Sequence, residues 1–383
     1  MKIVIAPDSY KESLTAMQVC EAIETGFKRV LPNAHCLKLP MADGGEGTVR
    51  SLVDASGGSI RHLPVTGPLG EPVDGFFGLM GDGETAVIEM AAASGLHLVP
   101  PESRNPLQTT SFGTGELIKA ALDSGAKHLI IGIGGSATND GGAGMAQALG
   151  IALLNERGRA IGYGGGALAR LAQIDIRGLD PRLAQVTIEV ACDVDNPLCG
   201  DSGASAIFGP QKGATLDMVA QLDTNLKHYG VLIEQQMGVA VIDMPGAGAA
   251  GGMGAALLGL LGAQLRPGID IVMDAVGLSE AVRGADLVIT GEGRIDSQTI
   301  HGKTPHGVAR IAKQQGKAVI AIAGCMSTDY AVVHQHGIDA VFAVVPRAVC
   351  LEEALRDAQF NVENTARNVA QALAIGGTLG KSS

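Results

Sequence analysis

An apolar run at residues 128–133 opens directly into Gly134, Gly135, Ser136, Ala137, Thr138, Asn139, Asp140, Gly141, Gly142, Ala143 and Gly144. The run reads as a buried strand. The small residues after it bring bare backbone N–H groups toward a helix start, where they can hold an anion such as phosphate. The design recurs in Asp43-Gly44-Gly45-Glu46-Gly47-Thr48, in the glycine-rich residues 246–254, and in Thr290-Gly291-Glu292-Gly293-Arg294-Ile295-Asp296, which follows the strand-like residues 287–289. Glycine loops that also carry carboxylates point to a phosphorylated ligand with a metal ion.

Glycine is 55 of 383 residues, about twice the ~7% average, without a collagen-like triplet period. The excess serves turns and close backbone approaches. Aromatic residues are 3% and Trp is absent, so the core is built from Ala, Val, Ile and Leu, which suits layered strands and helices. With 28 Lys and Arg against 39 Asp and Glu, the net charge of −11 disfavours nucleic acid and anionic membranes as partners. Six cysteines show neither a Cys-x-x-Cys pair nor zinc-finger spacing and read as reduced thiols of a cytoplasmic protein. The first apolar run is too short for a signal peptide. The uncharged residues 244–265 are long enough to span a membrane, but their Gly- and Ala-rich first half reads as a loop leading into a buried helix at 255–261.

Strand, helix, strand, helix is predicted at residues 2–6, 14–30, 35–39 and 46–56, with Thr15 as a helix cap, and the β–α alternation resumes after residue 287. The fold class is α/β: a doubly wound, mostly parallel, Rossmann-like sheet with a second, inserted α/β domain containing a mixed sheet. Residues 1–62 and 271–383 form the first domain in this reading and 63–270 the second, because residues 63–90 alternate in short apolar pieces broken by glycines. A small ligand is expected in the cleft between them.

Gly302-Lys303-Thr304 lacks the earlier glycine of a Walker A loop, although Lys303 can reach a phosphate as a point charge. Gly132-x-Gly134-x-x-Ala137 fits a degenerate dinucleotide fingerprint, with Asn139 and Asp140 against it. Asp193, with Asp195, Asn196 and Pro197, follows a predicted strand and suits a cation site, a general base or a turn. Asp8, Ser9, Lys11 and Ser13 follow the first strand, where open parallel sheets bind ligands. The nine histidines show no metal-ligand spacing.

Taken together, Ala6 to Ser9 with Lys11, Ala42 to Thr48, Gly132 to Gly144, Cys192 to Pro197, residues 246–254 and Thr290 to Lys303 resemble the bacterial glycerate kinases that form 2-phosphoglycerate. The resemblance covers essentially the whole chain. It implies ATP- and Mg²⁺-dependent phosphorylation of the 2-hydroxyl of D-glycerate, in glycerate, glyoxylate or sugar-acid catabolism. Tyr10 and Glu12 stand where that family more often shows Phe and Gly. On this reading Gly134, Gly135, Ser136, Asn139, Asp140, Gly141, Gly142, Gly248, Gly251, Gly252 and Lys303 hold nucleotide phosphates. From the residues themselves, and not from the resemblance, Asp193 is read as the catalytic base, and Lys11, also catalytic, pairs like Arg294 with the glycerate carboxylate or a transferring phosphate. Asp8, Ser9 and Arg294 bind substrate, and Asp43, Glu46, Glu292 and Asp296 are metal candidates. A nicotinamide-dependent hydroxy-acid oxidoreductase and a non-catalytic ligand sensor are the alternatives. A homo-oligomer is compatible with the sequence.

Overall fold

Strand β1 (Lys2–Ile5) buries Ile3, Val4 and Ile5 completely. Thr15 caps α1 (Ala16–Lys28): its hydroxyl accepts the Gln18 N–H, and the Gln18 side chain accepts the Thr15 N–H, the reciprocal pair of a capping box. Val19, Ile23 and Phe27 recur at helical spacing and are fully buried. β2 (His35–Lys38) follows, then α2 (Thr48–Ser56), which starts two residues later than the sequence suggests because Gly44 and Gly47 take positive φ in the loop before it. β3 (Ser59–Thr66) and β4 (Pro72–Leu79) form an antiparallel hairpin, and β5 (Thr85–Glu89) pairs with β4. After α3 (Phe112–Asp123) come β6 (His128–Gly132), α4 (Ala143–Ala148), β7 (Thr187–Ala191), α5 (Leu216–Met237), α6 (Ala249–Leu261) and β8 (Gln264–Arg266). The last principal elements are β9 (Leu287–Thr290), α7 (Thr304–Gln314), β10 (Ala318–Ala323), β11 (Ala340–Ala343) and α8 (Ala358–Leu379). Residues 330–336 form a 3₁₀ helix.

This computed structural model describes residues 1–379. It divides into one compact unit of residues 1–43, 50–56 and 269 onward, and a second of 44–49 and 57–268. The first unit holds an all-parallel sheet in the order β2-β1-β9-β10-β11, with Val4 opposite Leu37 on one side and Val288 on the other. Its core joins Ile3, Ile5, Ile289 and Ile322 to Ile23, Phe27, Val362 and Ala366 of α1 and α8. The second unit holds a mixed sheet in the order β8-β7-β6-β5-β4-β3, parallel from β8 to β5 and antiparallel beyond. Its core includes Ile88, Leu129, Ile131 and Val190 of the strands with Leu117, Met253 and Leu257 of the helices.

No helix among the described residues is long and apolar enough to cross a membrane. The uncharged stretch at 244–265 instead packs α6 into the second core, with Ala255, Ala256 and Leu257 fully buried. The first turn of α6 carries left-handed backbone angles at Ala250, Gly251 and Gly252. A Cβ at Gly251 would lie 2.0 Å from the Thr138 carbonyl oxygen, so that position requires glycine for space as well as for φ. The six cysteines are free thiols.

Candidate functional site

In the first unit the chain runs from β1 to the β2 edge, then returns through β9 toward β10 and β11 on the other side. Strand order therefore reverses between β1 and β9, and a parallel sheet opens a ligand crevice at the carboxyl ends of such a pair. Asp8 and Glu292 emerge there. Asp8 Oδ1 accepts the Ser9 N–H at 2.6 Å, and Oδ2 accepts the Thr304 hydroxyl at 2.8 Å from the start of α7. Burial raises the Asp8 carboxyl to about 6, and the Asp43 charge adds to the effect. Glu292 accepts the Thr299 hydroxyl at 2.6 Å, and burial raises it to about 7 against the opposing pull of Thr299 and Lys303. The Lys303 ammonium stands 3.7 Å from Glu292 and 3.8 Å from Asp296, so it is a counter-ion within this acidic group. Arg294, exposed, pairs with Asp296 at 3.4 Å. Lys11 is exposed on the loop after β1.

The two departures noted in that loop have local reasons. Tyr10 is buried and its hydroxyl donates to the Ile322 carbonyl at 2.6 Å, a bond that Phe could not make. Glu12 has φ of 64°, the left-handed region where glycine carries no Cβ penalty.

Raised carboxyl pKa values are statements about stability. Asp8 and Glu292 hold their protons more tightly in the folded than in the unfolded protein. Their contribution is fully present below the unfolded values of 3.8 and 4.5 and is lost as pH rises through about 6 and about 7. In chelator, Tm is therefore expected to fall between about pH 4 and 7, and Glu292→Gln to fall less steeply over that window. Parallel melting curves for the two proteins would remove Glu292 as a source of the dependence.

In the second unit β5, β6, β7 and β8 run parallel, so Glu89, Gly134, Asp193 and Gly268 follow strands that end at one edge of the sheet. A cavity of about 460 Å³ lies there, bordered by Gly44, Gly45, Glu46, Glu89, His97, Gly134 and Gly135. Glu89 is 8% exposed and accepts the Val49 N–H at 2.8 Å; burial raises its pKa. Gly134 and Gly135 are exposed, and the N–H groups of Gly134, Gly135 and Ser136 have no protein acceptor among the described residues. Gly135 takes φ of 74°, the left-handed turn that lets successive amides converge on an anion. Asp193 is exposed, and its Oδ1 accepts the Gly268 N–H at 2.9 Å.

Much of the expected phosphate loop is used inside the fold. The helix after β6 begins only at Ala143, and the anion at its N-terminus is the protein's own Asp140. That fully buried carboxylate accepts the Ser111 N–H and hydroxyl at 2.9 and 2.8 Å and the Gly142 and Gly144 N–H groups at 3.1 and 3.2 Å. Gly141 N–H donates to the Gly251 carbonyl, and buried Asn139 donates to Ser205. Gly248 and Gly252 N–H groups donate to Asn196 and Gly248 carbonyls. Asn139, Asp140, Gly141, Gly142, Gly248, Gly251 and Gly252, read from sequence as phosphate holders, are buried here among packing and capping contacts. The late helix start also removes the dinucleotide fingerprint, which needs its helix to open at the glycines.

Glu89, His97, Thr304 and Lys212, the last of which bonds to Ser136, were not singled out from sequence. For Glu89 a signal existed, an acid closing the apolar run Ala86 to Ile88. Among the described residues, no group of three or more His, Cys, Asp or Glu side chains could hold a metal ion unaided. A Mg²⁺ ion characteristically takes one or two deprotonated carboxylates together with phosphate oxygens, and Asp8 and Glu292, partly buried and close enough for the Asp8 charge to raise Glu292, are such a pair.

A sequence model of the Glycerate kinase family matches residues 3–374. The chain belongs to the glycerate kinase family. It is 63% identical to a glycerate kinase of Haemophilus influenzae, over 98% of this chain and 99% of that one. It is 61% identical to a glycerate 2-kinase of Escherichia coli, over 98% and 99% of the two chains. A crystal structure from Salmonella typhimurium LT2 assigned as glycerate kinase 2 superposes with a TM-score of 0.92, at 60% identity and 99% coverage of both chains.

Proposed function

We propose that this protein transfers the γ-phosphoryl group of ATP to the 2-hydroxyl of D-glycerate, giving 2-phosphoglycerate and ADP, with Mg²⁺. The observation that carries the reading is its 61% identity, over nearly the full length of both chains, to a protein named glycerate 2-kinase. The two sets of residues supply what phosphoryl transfer asks for: anion-holding donors, compensation of phosphate charge, and a proton acceptor. The unpaired N–H groups of Gly134, Gly135 and Ser136 hold phosphate oxygens, and Lys303 supplies positive charge. Asp8 and Glu292 lend carboxylate oxygens to the cation, with Asp43 and Asp296 beside them in the same unit. Mg²⁺, when bound, neutralises charge on the phosphate oxygens. Lys11 and Arg294 pair with the glycerate carboxylate, and Ser9 hydrogen-bonds it. Asp193 accepts the proton of the 2-hydroxyl as its oxygen bonds to the γ-phosphorus and the bond to ADP breaks. The same reading locates the protein in the cytoplasm, where ATP is available.

ATP consumption with D-glycerate and Mg²⁺, followed by phosphorus NMR of the product, tests the reading. Glycerate-dependent ADP formation with phosphate on the 2-position is the expected result. Phosphate on the 3-position would overturn the regiochemistry. Binding without turnover would favour the sensor, and NAD binding in place of ATP the oxidoreductase.

A further inference from the structure

Lys212 sits in the short turn Pro210-Gln211-Lys212-Gly213, where nothing in the sequence marks it. The structure buries it to 1% exposure. A lysine is almost never fully buried unless something compensates its charge. No carboxylate lies within ion-pair distance of its ammonium among the described residues. The ammonium donates instead to the Ser136 hydroxyl and the Thr138 carbonyl, each at 2.7 Å. Burial lowers its pKa to about 7, with the Asp140 charge opposing the shift.

Both acceptors belong to the loop after β6. From the other side, Leu96 N–H donates to the Gly135 carbonyl and Ala137 N–H donates to the Ser94 carbonyl. The loop is thus tied by the Gly135 and Thr138 carbonyls, the Ala137 N–H and the Ser136 hydroxyl, while the N–H groups of Gly134 and Gly135, at the cavity, and of Ser136 next to them stay unused. A buried cation behind three unpaired amide dipoles is a favourable arrangement once an anion sits in front of them, because the low dielectric that makes the cation costly alone strengthens its attraction to that anion.

Resting on the kinase reading, we infer that Lys212 is a positioning residue for the nucleotide: it holds Ser136 and Thr138 so that the amides of residues 134–136 face the phosphate chain, and its charge adds to theirs. It acts through the loop and does not touch the reacting atoms.

Steady-state kinetics of Lys212→Met, Ser136→Ala and the double variant, with ATP and glycerate varied in turn, test this. Lys212→Met is expected to raise KM for ATP about 10-fold or more while KM for glycerate stays within about twofold, the loss of one charge-assisted contact. Ser136→Ala keeps the ammonium and the Thr138 contact, so it should raise KM for ATP about threefold, and the double variant should lose no more than Lys212→Met alone because the two act as one unit. Unchanged KM for ATP, an equal rise for both substrates, a fall in kcat alone, or additive losses would overturn the inference. If Lys212→Met does not fold, Ser136→Ala decides: a rise in KM for ATP supports the inference and an unchanged value overturns it. Absence of glycerate-dependent turnover in the wild-type protein would instead mark failure of the kinase reading itself.

Discussion

Asp193→Asn is expected to lower kcat by about 10²-fold or more while KM for both substrates changes by a few-fold at most. The substitution keeps the shape of the side chain, and the amide oxygen can still accept the Gly268 N–H that Asp193 Oδ1 accepts at 2.9 Å. What it removes is a carboxylate able to take the proton of the attacking hydroxyl. A split that affects kcat and leaves binding nearly intact is the mark of an interaction made in the transition state. Steady-state kinetics read beside a thermal melt check it. Turnover near wild type in a folded variant would leave Asp193 the role of holding the turn at Gly268 and move the search for a base elsewhere.

Asp140→Ala is expected to destabilise the second unit by about 3–5 kcal/mol. Asp140 is fully buried, and its two oxygens accept four hydrogen bonds: two from Ser111 and one each from Gly142 and Gly144. Removing the carboxylate leaves those donors buried without an acceptor, and each such group costs about 1–3 kcal/mol before the loop relaxes. The same change removes the charge that opposes the lowered pKa of Lys212, so the ammonium there becomes harder to keep. Denaturant unfolding measures the loss directly. A change below about 1 kcal/mol would mean that water replaces the carboxylate and that the buried network is more hydrated than its hydrogen bonds imply.

Asp140 and Gly134 show how neighbouring residues of one glycine-rich motif can differ, the first buried in a hydrogen-bonded network and the second exposed with its N–H unpaired. Both lie in a stretch that reads as an anion loop, and an anion is indeed held there at the start of α4. It is the protein's own carboxylate. Only the first three amides, before the chain turns inward, have no protein acceptor among the described residues. A string of small residues says that backbone can come close to something. It does not say whether that something is a phosphate or a packed neighbour, and at Gly251 it is the Thr138 carbonyl.

Local signals were read well where the physics is local. Thr15 with Gln18 three residues later makes a capping box whatever the rest of the chain does, and the period of Val19, Ile23 and Phe27 marks the buried face of α1. The β–α alternation at both ends of the chain determines a parallel sheet, and the glycine-broken alternation at residues 63–90 determines the antiparallel strands of the mixed one. Strand pairing brings Asp8 and Glu292 together across 284 residues of sequence, and no local pattern carries that distance. Their pKa values depend on burial and, for Asp8, on Asp43, which only the tertiary fold brings to it. Lys212 is the clearest case: in sequence it is a loop lysine between glutamine and glycine, and in the structure it is a buried cation fastened to Ser136 and Thr138. Sequence by itself determined the elements, the fold class and the family, because propensity, capping and hydrophobic period act over a few residues. The tertiary structure decided which loop amides pack inward and which stay unpaired, and which charges are perturbed, because those outcomes rest on which groups share a low-dielectric space.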